Sequence, residues 1–270
     1  MRLRSVLAVP AGSAVGPAHL ESPADAVLLS VADAREPVGR LRHLALEALP
    51  AIAASGKLAL VRVNHPRTGL LREDLEALVG PHLDAILLTH TVEPQDLRDA
   101  AVILREFELG RGLEPGRVAV FPVIDTARGL LRAVELLQAI ARCAGLVFDP
   151  AAYAWDVGAR EEELGPRLAY ARGHAVAAAR AFGLLPLIVA SPFQLRFLAQ
   201  SGFAGAILTD AKMIPVANEV FSTNPFARPR AEAELRAYEA ARAEGAAVAR
   251  LGERVIDAAA AHRARQRLEG

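Results

Sequence analysis

Eight short apolar runs recur along this chain, at Ser5–Pro10, Ala26–Val31, Leu58–Val63, Ala85–Leu88, Val118–Ile124, Gly145–Phe148, Leu185–Ala190 and Gly205–Leu208. They are mostly apolar throughout instead of alternating, so they read as strands buried on both faces, as in a parallel sheet. Between most of them lie segments of helical period, among them Leu70–Leu78, Leu97–Phe107, Gly129–Ala141 and Arg167–Phe182. Eight strands with helices between, in 270 residues, match a (β/α)8 TIM barrel, which typically takes about 250 residues. The competing topology is an open doubly wound sheet. After the first run, Pro10-Ala-Gly-Ser-Ala-Val-Gly16 has the wrong spacing for a Gly-x-Gly-x-x-Gly turn, so a dinucleotide site has no support. The Ala/Arg/Glu-rich tail predicts a C-terminal helical extension. The expected division is a barrel over 1–225 and an extension over 226–270 that packs on the barrel or on a neighbouring subunit.

Charge narrows the function classes. Lys plus Arg and Asp plus Glu each number 31, and no basic cluster is interleaved with aromatics, which argues against a nucleic-acid partner. No apolar run is long enough to span a bilayer, and no basic-apolar-small leader opens the sequence. The single Cys143 cannot form an internal disulfide and reads as a small core residue, so a cytoplasmic protein is expected.

In a barrel of this kind the chemistry lies on the loops after the strands, where side chains leave the core and face a common mouth. Those loops carry Ser30 and Asp33; Arg62, Asn64 and His65; Thr89 and His90; Asp125; Asp149; Ser191; and Thr209, Asp210 and Lys212. Arg62 stands out, because Leu58-Ala-Leu-Val-Arg62 sets a permanent charge at the end of an apolar strand. A buried guanidinium needs an anion, either a neighbouring carboxylate or a substrate's. Imidazole has its reference pKa near neutrality, which makes His90 the candidate for proton transfer. Arg128 and Gly129 open the helix after the fifth strand, where backbone N–H groups could receive an anionic group. Asp125 has a structural alternative as the N-cap of that helix.

The segments Ala24-Asp-Ala-Val-Leu-Leu-Ser-Val-Ala-Asp33, Val61-Arg-Val-Asn64, Ile124-Asp-Thr-Ala-Arg-Gly129, Gly145-Leu-Val-Phe148 and Asp156-Val-Gly158 fall in a recognisable order. In order and spacing they resemble the citrate lyase β-subunit-like proteins of the HpcH/HpaI aldolase superfamily. Supporting matches are Arg4-Ser-Val-Leu-Ala-Val-Pro10, Leu168-Ala-Tyr-Ala-Arg172 and Asn218-Glu-Val-Phe-Ser222. The resemblance implies a (β/α)8 barrel assembled as a homo-trimer or hexamer. It also implies Mg²⁺-assisted cleavage or formation of a carbon–carbon bond in a 3-hydroxyacyl thioester, with an oxo-acid or acyl thioester as small-molecule partner. Such cleavage leaves an enolate that needs a cation or donors to stabilise it.

Against that pattern the mouth of this chain is altered. The resemblance places the metal-binding Glu at Asp125 and the second metal ligand at Ala152, within Asp149-Pro-Ala-Ala152. Asp149, or less favourably Asp210, would have to replace the missing ligand. Of the acids expected after the second strand only Asp33 remains; the expected Lys after the fourth strand is His90; Thr209-Asp-Ala-Lys-Met213 replaces another polar run. Two readings follow. In the first, an altered carbon–carbon lyase uses Arg62, His90 and Lys212 in catalysis, Arg62, Asn64, Arg128 and Gly129 in substrate binding, and Asp125 with Asp149 at a metal. In the second, the barrel is catalytically silent and serves as a binding or scaffold subunit.

Overall fold

The computed structural model describes residues 1–32, 35–159, 168–222 and 227–269. Asp33, the start of the helix expected over Arg167–Phe182, and the expected boundary at 225–226 lie outside the described residues. Leu3–Phe221 form one compact unit and Ser222–Gly270 a second.

The first unit is a closed barrel of eight parallel strands, each hydrogen-bonded to its sequence neighbours, with β8 closing on β1. The strands are β1 Ser5–Ala8, β2 Ala26–Ser30, β3 Leu58–Val63, β4 Ala85–Leu88, β5 Ala119–Ile124, β6 Gly145–Phe148, β7 Leu185–Val189 and β8 Gly205–Leu208. Each coincides with an apolar run of the sequence, because a strand buried on both faces has no polar side to interrupt it. The helices preceding and following these strands begin with α1 Pro17–Leu20, α2 Val38–Ala54, α3 Leu71–Leu78 and α4 Pro94–Gly110. The single helix expected over Gly129–Ala141 is two short ones, α5 Ala127–Leu131 and α6 Ala133–Leu137, separated at Arg132, whose backbone leaves the helical region at φ −102°, ψ 9°.

Side chains alternate between two cores. Leu28, Leu60, Leu87, Phe121, Val147, Leu187 and Ile207 fill the barrel interior. Their alternate neighbours, such as Val27, Val61 and Ile86, pack with the helices outside. Two strands begin with Gly for lack of room. A Cβ on Gly145 would lie 2.1 Å from the Leu185 carbonyl oxygen, and one on Gly205 would lie 1.9 Å from that of Leu3.

Two ion pairs brace strand starts, one to a helix and one to a neighbouring strand. Glu108 on α4 is fully buried; it accepts hydrogen bonds from the Gly116 and Val118 N–H groups (2.9 Å each) and from Arg142 (2.9 and 2.8 Å). Val118 directly precedes β5, so this clamp fixes the strand that leads to Asp125. Arg4 holds Asp25 through its backbone N–H and guanidinium at 2.5–2.9 Å, joining β1 to the start of β2.

The second unit contains the helices Ala227–Ala243 and Ala258–Glu269 and an antiparallel pair, Ala249–Leu251 with Arg254–Ile256. Its small core is Ala249, Ile256 and Ala260, and its buried Glu234 is paired with Arg230 (3.1 Å) and Arg254 (3.0 Å).

Candidate active site

The alternation inside the barrel decides what reaches the mouth. Ala26, Leu28 and Ser30 share one side of β2, and Leu58, Leu60 and Arg62 share the same side of β3. The same two-residue step carries Phe121 and Val123 on to Asp125, Val147 to Asp149, and Ile207 to Thr209. Beyond these strands lies a cavity of about 360 Å³, in the range of small-molecule sites. Its floor is the last apolar layer of the interior, and its polar lining includes Ser30, Arg62, Asp149 and Thr209.

Asp125 lies within electrostatic reach of this cavity and is 2 % exposed. Its Oδ2 accepts a hydrogen bond from the backbone N–H of His90 at 3.1 Å and lies 2.8 Å from the ring Nδ1 of the same residue, an ion pair when the imidazole is protonated. Its Oδ1 is buried without a hydrogen-bond partner among the described residues. Burial lifts the Asp125 carboxyl above its ordinary 3.8; His90 and Arg62 pull it down without cancelling the rise, and the charge of Asp149 adds to it.

Local backbone explains how His90 reaches that oxygen. His90 has φ 50°, the only positive value outside glycine among the described residues. A β-carbon there costs on the order of 1–2 kcal/mol and persists only where the surroundings impose it. The flanking threonines impose it here, with Thr89 Oγ1 donating to Val63 O (3.2 Å) and Thr91 Oγ1 to Leu88 O (2.8 Å). The turn throws the imidazole outward, 53 % exposed, with Nδ1 facing Asp125. Both are expected site residues, and it is the fold that pairs them.

Other expected site residues are engaged elsewhere. Asn64 is buried, and its amide donates to Asp74 (2.8 Å) and to Val31 O (3.1 Å), while Arg42 holds the other oxygen of Asp74 at 2.7 Å. This makes Asn64 a brace between loops. The Arg128 guanidinium bonds to Glu93 at 2.5 Å, with Arg67 (3.6 Å) and Arg132 (3.9 Å) on the same carboxylate. At the opening of α5, Asp156 accepts from Ala127 N–H and Thr126 from Gly129 N–H. Gly129 is required by packing, because a Cβ there would lie 2.7 Å from Thr91 O. Asp210 is exposed and caps the turn at Ala211–Met213 through Lys212 N–H; neither Asp210 nor Lys212 lines the cavity.

The donor set does not fit a divalent metal centre. Asp149 caps the helix α7, Pro150–Asp156, through Ala152 N–H at 3.2 Å, and position 152 itself brings no ligand atom. One oxygen of Asp125 is held by His90, and among the described residues no group of three or more His, Cys, Asp or Glu side chains could hold a metal ion. One or two carboxylates can hold Mg²⁺ with waters and substrate, but of the two within electrostatic reach of each other here Asp149 has an oxygen tied to Ala152 N–H and Asp125 has one tied to His90.

A profile of the HpcH/HpaI aldolase/citrate lyase family matches residues 16–213. The chain belongs to this family. It is 27% identical over 274 residues to the citrate lyase subunit beta of Escherichia coli K12, covering 97% of this chain and 91% of that one. It is also 27% identical over 245 residues to a (3S)-malyl-CoA thioesterase of Cereibacter sphaeroides, covering 87% and 82%. Among solved structures, a Mycobacterium tuberculosis protein in complex with magnesium, acetoacetate and coenzyme A shares the fold. The TM-score is 0.66 and the identity 21%, over 98% of this chain and 96% of that one. No helix among the described residues is long and apolar enough to cross a membrane.

Proposed function

We propose that this family member is a carbon–carbon lyase acting on a 3-hydroxyacyl thioester that carries a carboxylate on its hydroxyl-bearing carbon, with His90 in the proton-transfer role. The observation that carries the reading is the His90–Asp125 pair, which does not line the cavity but lies within electrostatic reach of Arg62 and Asp149, which do. A buried carboxylate 2.8 Å from Nδ1 favours a proton on that nitrogen, which directs Nε2 to act as the base. Nε2 takes the hydroxyl proton; the bond between the hydroxyl-bearing and α-carbons breaks, and its electron pair becomes the enolate of the acyl fragment. The hydroxyl oxygen becomes the carbonyl of the released 2-oxo acid, whose carboxylate Arg62 holds by paired hydrogen bonds. The enolate then regains a proton at carbon. With Arg62 engaged by the oxo-acid carboxylate, no other cation among the described residues lines the cavity to stabilise the enolate, so turnover is expected to be slow.

The test is release of oxo acid from malyl- and citramalyl-type CoA thioesters in the presence of EDTA. Arg62→Met and His90→Gln should each lower it at least about 100-fold, the usual scale of acid–base contributions. Wild-type release no faster than either variant would sink the lyase reading. It would leave the second reading, a barrel kept as a binding or scaffold subunit, which Ala152 at the metal-ligand position and the capping duty of Asp149 favour.

A further inference from the structure

We infer that a groove at the end of the barrel opposite the mouth binds an aliphatic monocarboxylate, with its head at Arg105 and Arg142 and its hydrocarbon chain along α4. This site is independent of the lyase reading.

The groove lies between the outer face of α4, the turn that leads into β5 and the turn that leads into β6. Its volume is about 460 Å³, in the range of small-molecule sites. Hydrocarbon forms its bed on three sides, with Ala101 and Val102 from α4, Pro115 before β5, and Ile140 and Ala141 before β6. Val102 is 67 % exposed although these apolar neighbours lie beside it, so an alkyl chain laid in the groove removes apolar surface from water. The wall is held in place, because Gly116 also lines the groove and its N–H is fixed by Glu108 at 2.9 Å.

Two guanidiniums border this bed. Arg105 is exposed, stands one helical turn from Ala101, and forms no ion pair among the described residues. Arg142 is 10 % exposed and only partly engaged. Its Nη1 donates to Glu108 Oε1 (2.9 Å) and Val118 O (3.2 Å), and its Nη2 to Glu108 Oε2 (2.8 Å). A guanidinium has five N–H donors, so these three bonds leave the Nε–H and one Nη2–H without an acceptor among the described residues. Those two N–H groups form one edge of the fork, the geometry that takes a carboxylate by paired hydrogen bonds. Glu108 balances the charge of Arg142, which leaves the groove the single positive charge of Arg105 and suits a monoanion. A second charge on the ligand's tail would be desolvated on the apolar bed without a partner.

The experiment is titration of the full-length protein with butanoate, hexanoate and octanoate, followed by calorimetry and by ¹H–¹⁵N correlation spectra, with octylammonium as the charge control. Affinity should rise about twofold per added methylene, the factor for a methylene about half buried, where full burial gives about fourfold. Octylammonium should bind at least about tenfold more weakly than octanoate, since it meets Arg105 with a like charge. The amide shifts should fall on Val102, Gly116 and Ala141. Arg105→Gln, at an exposed position that leaves the Glu108–Arg142 pair intact, should weaken octanoate at least about tenfold. Ala101→Glu sets a carboxylate one turn from Arg105, at a spacing that pairs on a helix, and should abolish binding. Arg62→Met should bind octanoate as the wild type does, which separates this groove from the mouth. Equal binding of octylammonium, shifts confined to residues of the mouth, or no binding of octanoate at millimolar concentration would overturn the inference. A change of subunit count in Arg105→Gln or Ala101→Glu by sedimentation, with octanoate failing to bind the wild type, would also overturn it and give the groove to a second copy of the chain.

Discussion

Glu108→Ala tests whether the clamp below the mouth holds β5 in place. Glu108 is fully buried and accepts four hydrogen bonds, two from Arg142 and one each from Gly116 and Val118 N–H groups. Truncation leaves the Arg142 guanidinium, only 10 % exposed, without its carboxylate, and leaves two backbone donors without acceptors. Removing one partner of a buried pair costs about 3–5 kcal/mol, a large share of the roughly 5–15 kcal/mol by which domains are stable. With a urea m-value of about 3 kcal/mol per molar, the unfolding midpoint should fall by about 1 M or more. The pH dependence supplies a second readout on the wild type. Burial pushes the Glu108 carboxyl up, but Arg142 and the two N–H groups outweigh it and hold it below the ordinary 4.5. A depressed pKa means that the unfolded chain binds more protons. The Glu108 contribution is therefore fully present above about pH 4.5 and drains away as the pH falls further. Glu108→Ala should lack that part of the acid sensitivity. A midpoint shift under about 0.3 M, or parallel pH profiles for variant and wild type, would refute the reasoning.

Other positions give independent tests. Asp125→Asn should leave the barrel as stable as wild type or more so at pH 7. Its carboxyl is raised by burial, so ionising it costs the folded state stability as the pH rises past 3.8; the same variant should lose lyase activity by about 100-fold or more. Thermal melts across pH 4–8 beside the oxo-acid assay check both halves. Gly145→Ala should destabilise by about 2 kcal/mol or more or prevent folding, since its Cβ would lie 2.1 Å from Leu185 O and 2.8 Å from Phe121, whereas Gly173→Ala, with nothing within 4 Å, should not; urea melts compare them. Calorimetry with Mg²⁺ should give no saturable heat below millimolar concentration, and EDTA should leave the melting temperature unchanged. Cys143 is buried with its thiol pushed up to about 11, so a disulfide reagent at pH 8 should label it only after denaturation.

The strands were legible in the sequence because their signal is local. A run buried on both faces is apolar at every position whatever its partners are, and all eight runs became barrel strands within a residue or two of their expected ends. The two-residue step along a strand likewise makes Arg62, Asp125 and Asp149 continue the inward side, so their arrival at one mouth followed from spacing once the barrel closed. Family membership was legible for the same reason, being carried by short motifs in a fixed order.

What the polar groups do there was decided only by the tertiary structure. His90 and Asp125 stand 35 residues apart, as do Arg128 and Glu93, and closure of the barrel brings each pair together. The sequence leaves Asn64 open between meeting a substrate and shaping the turn after β3, and in the fold its amide donates to Asp74. It offered Asp149 as a replacement ligand, yet the start of α7 takes its carboxylate as a cap. A side chain's charge and reach are written in its own residue type. Which of several possible partners it meets depends on distances between segments remote in the chain, and only the packed barrel sets those.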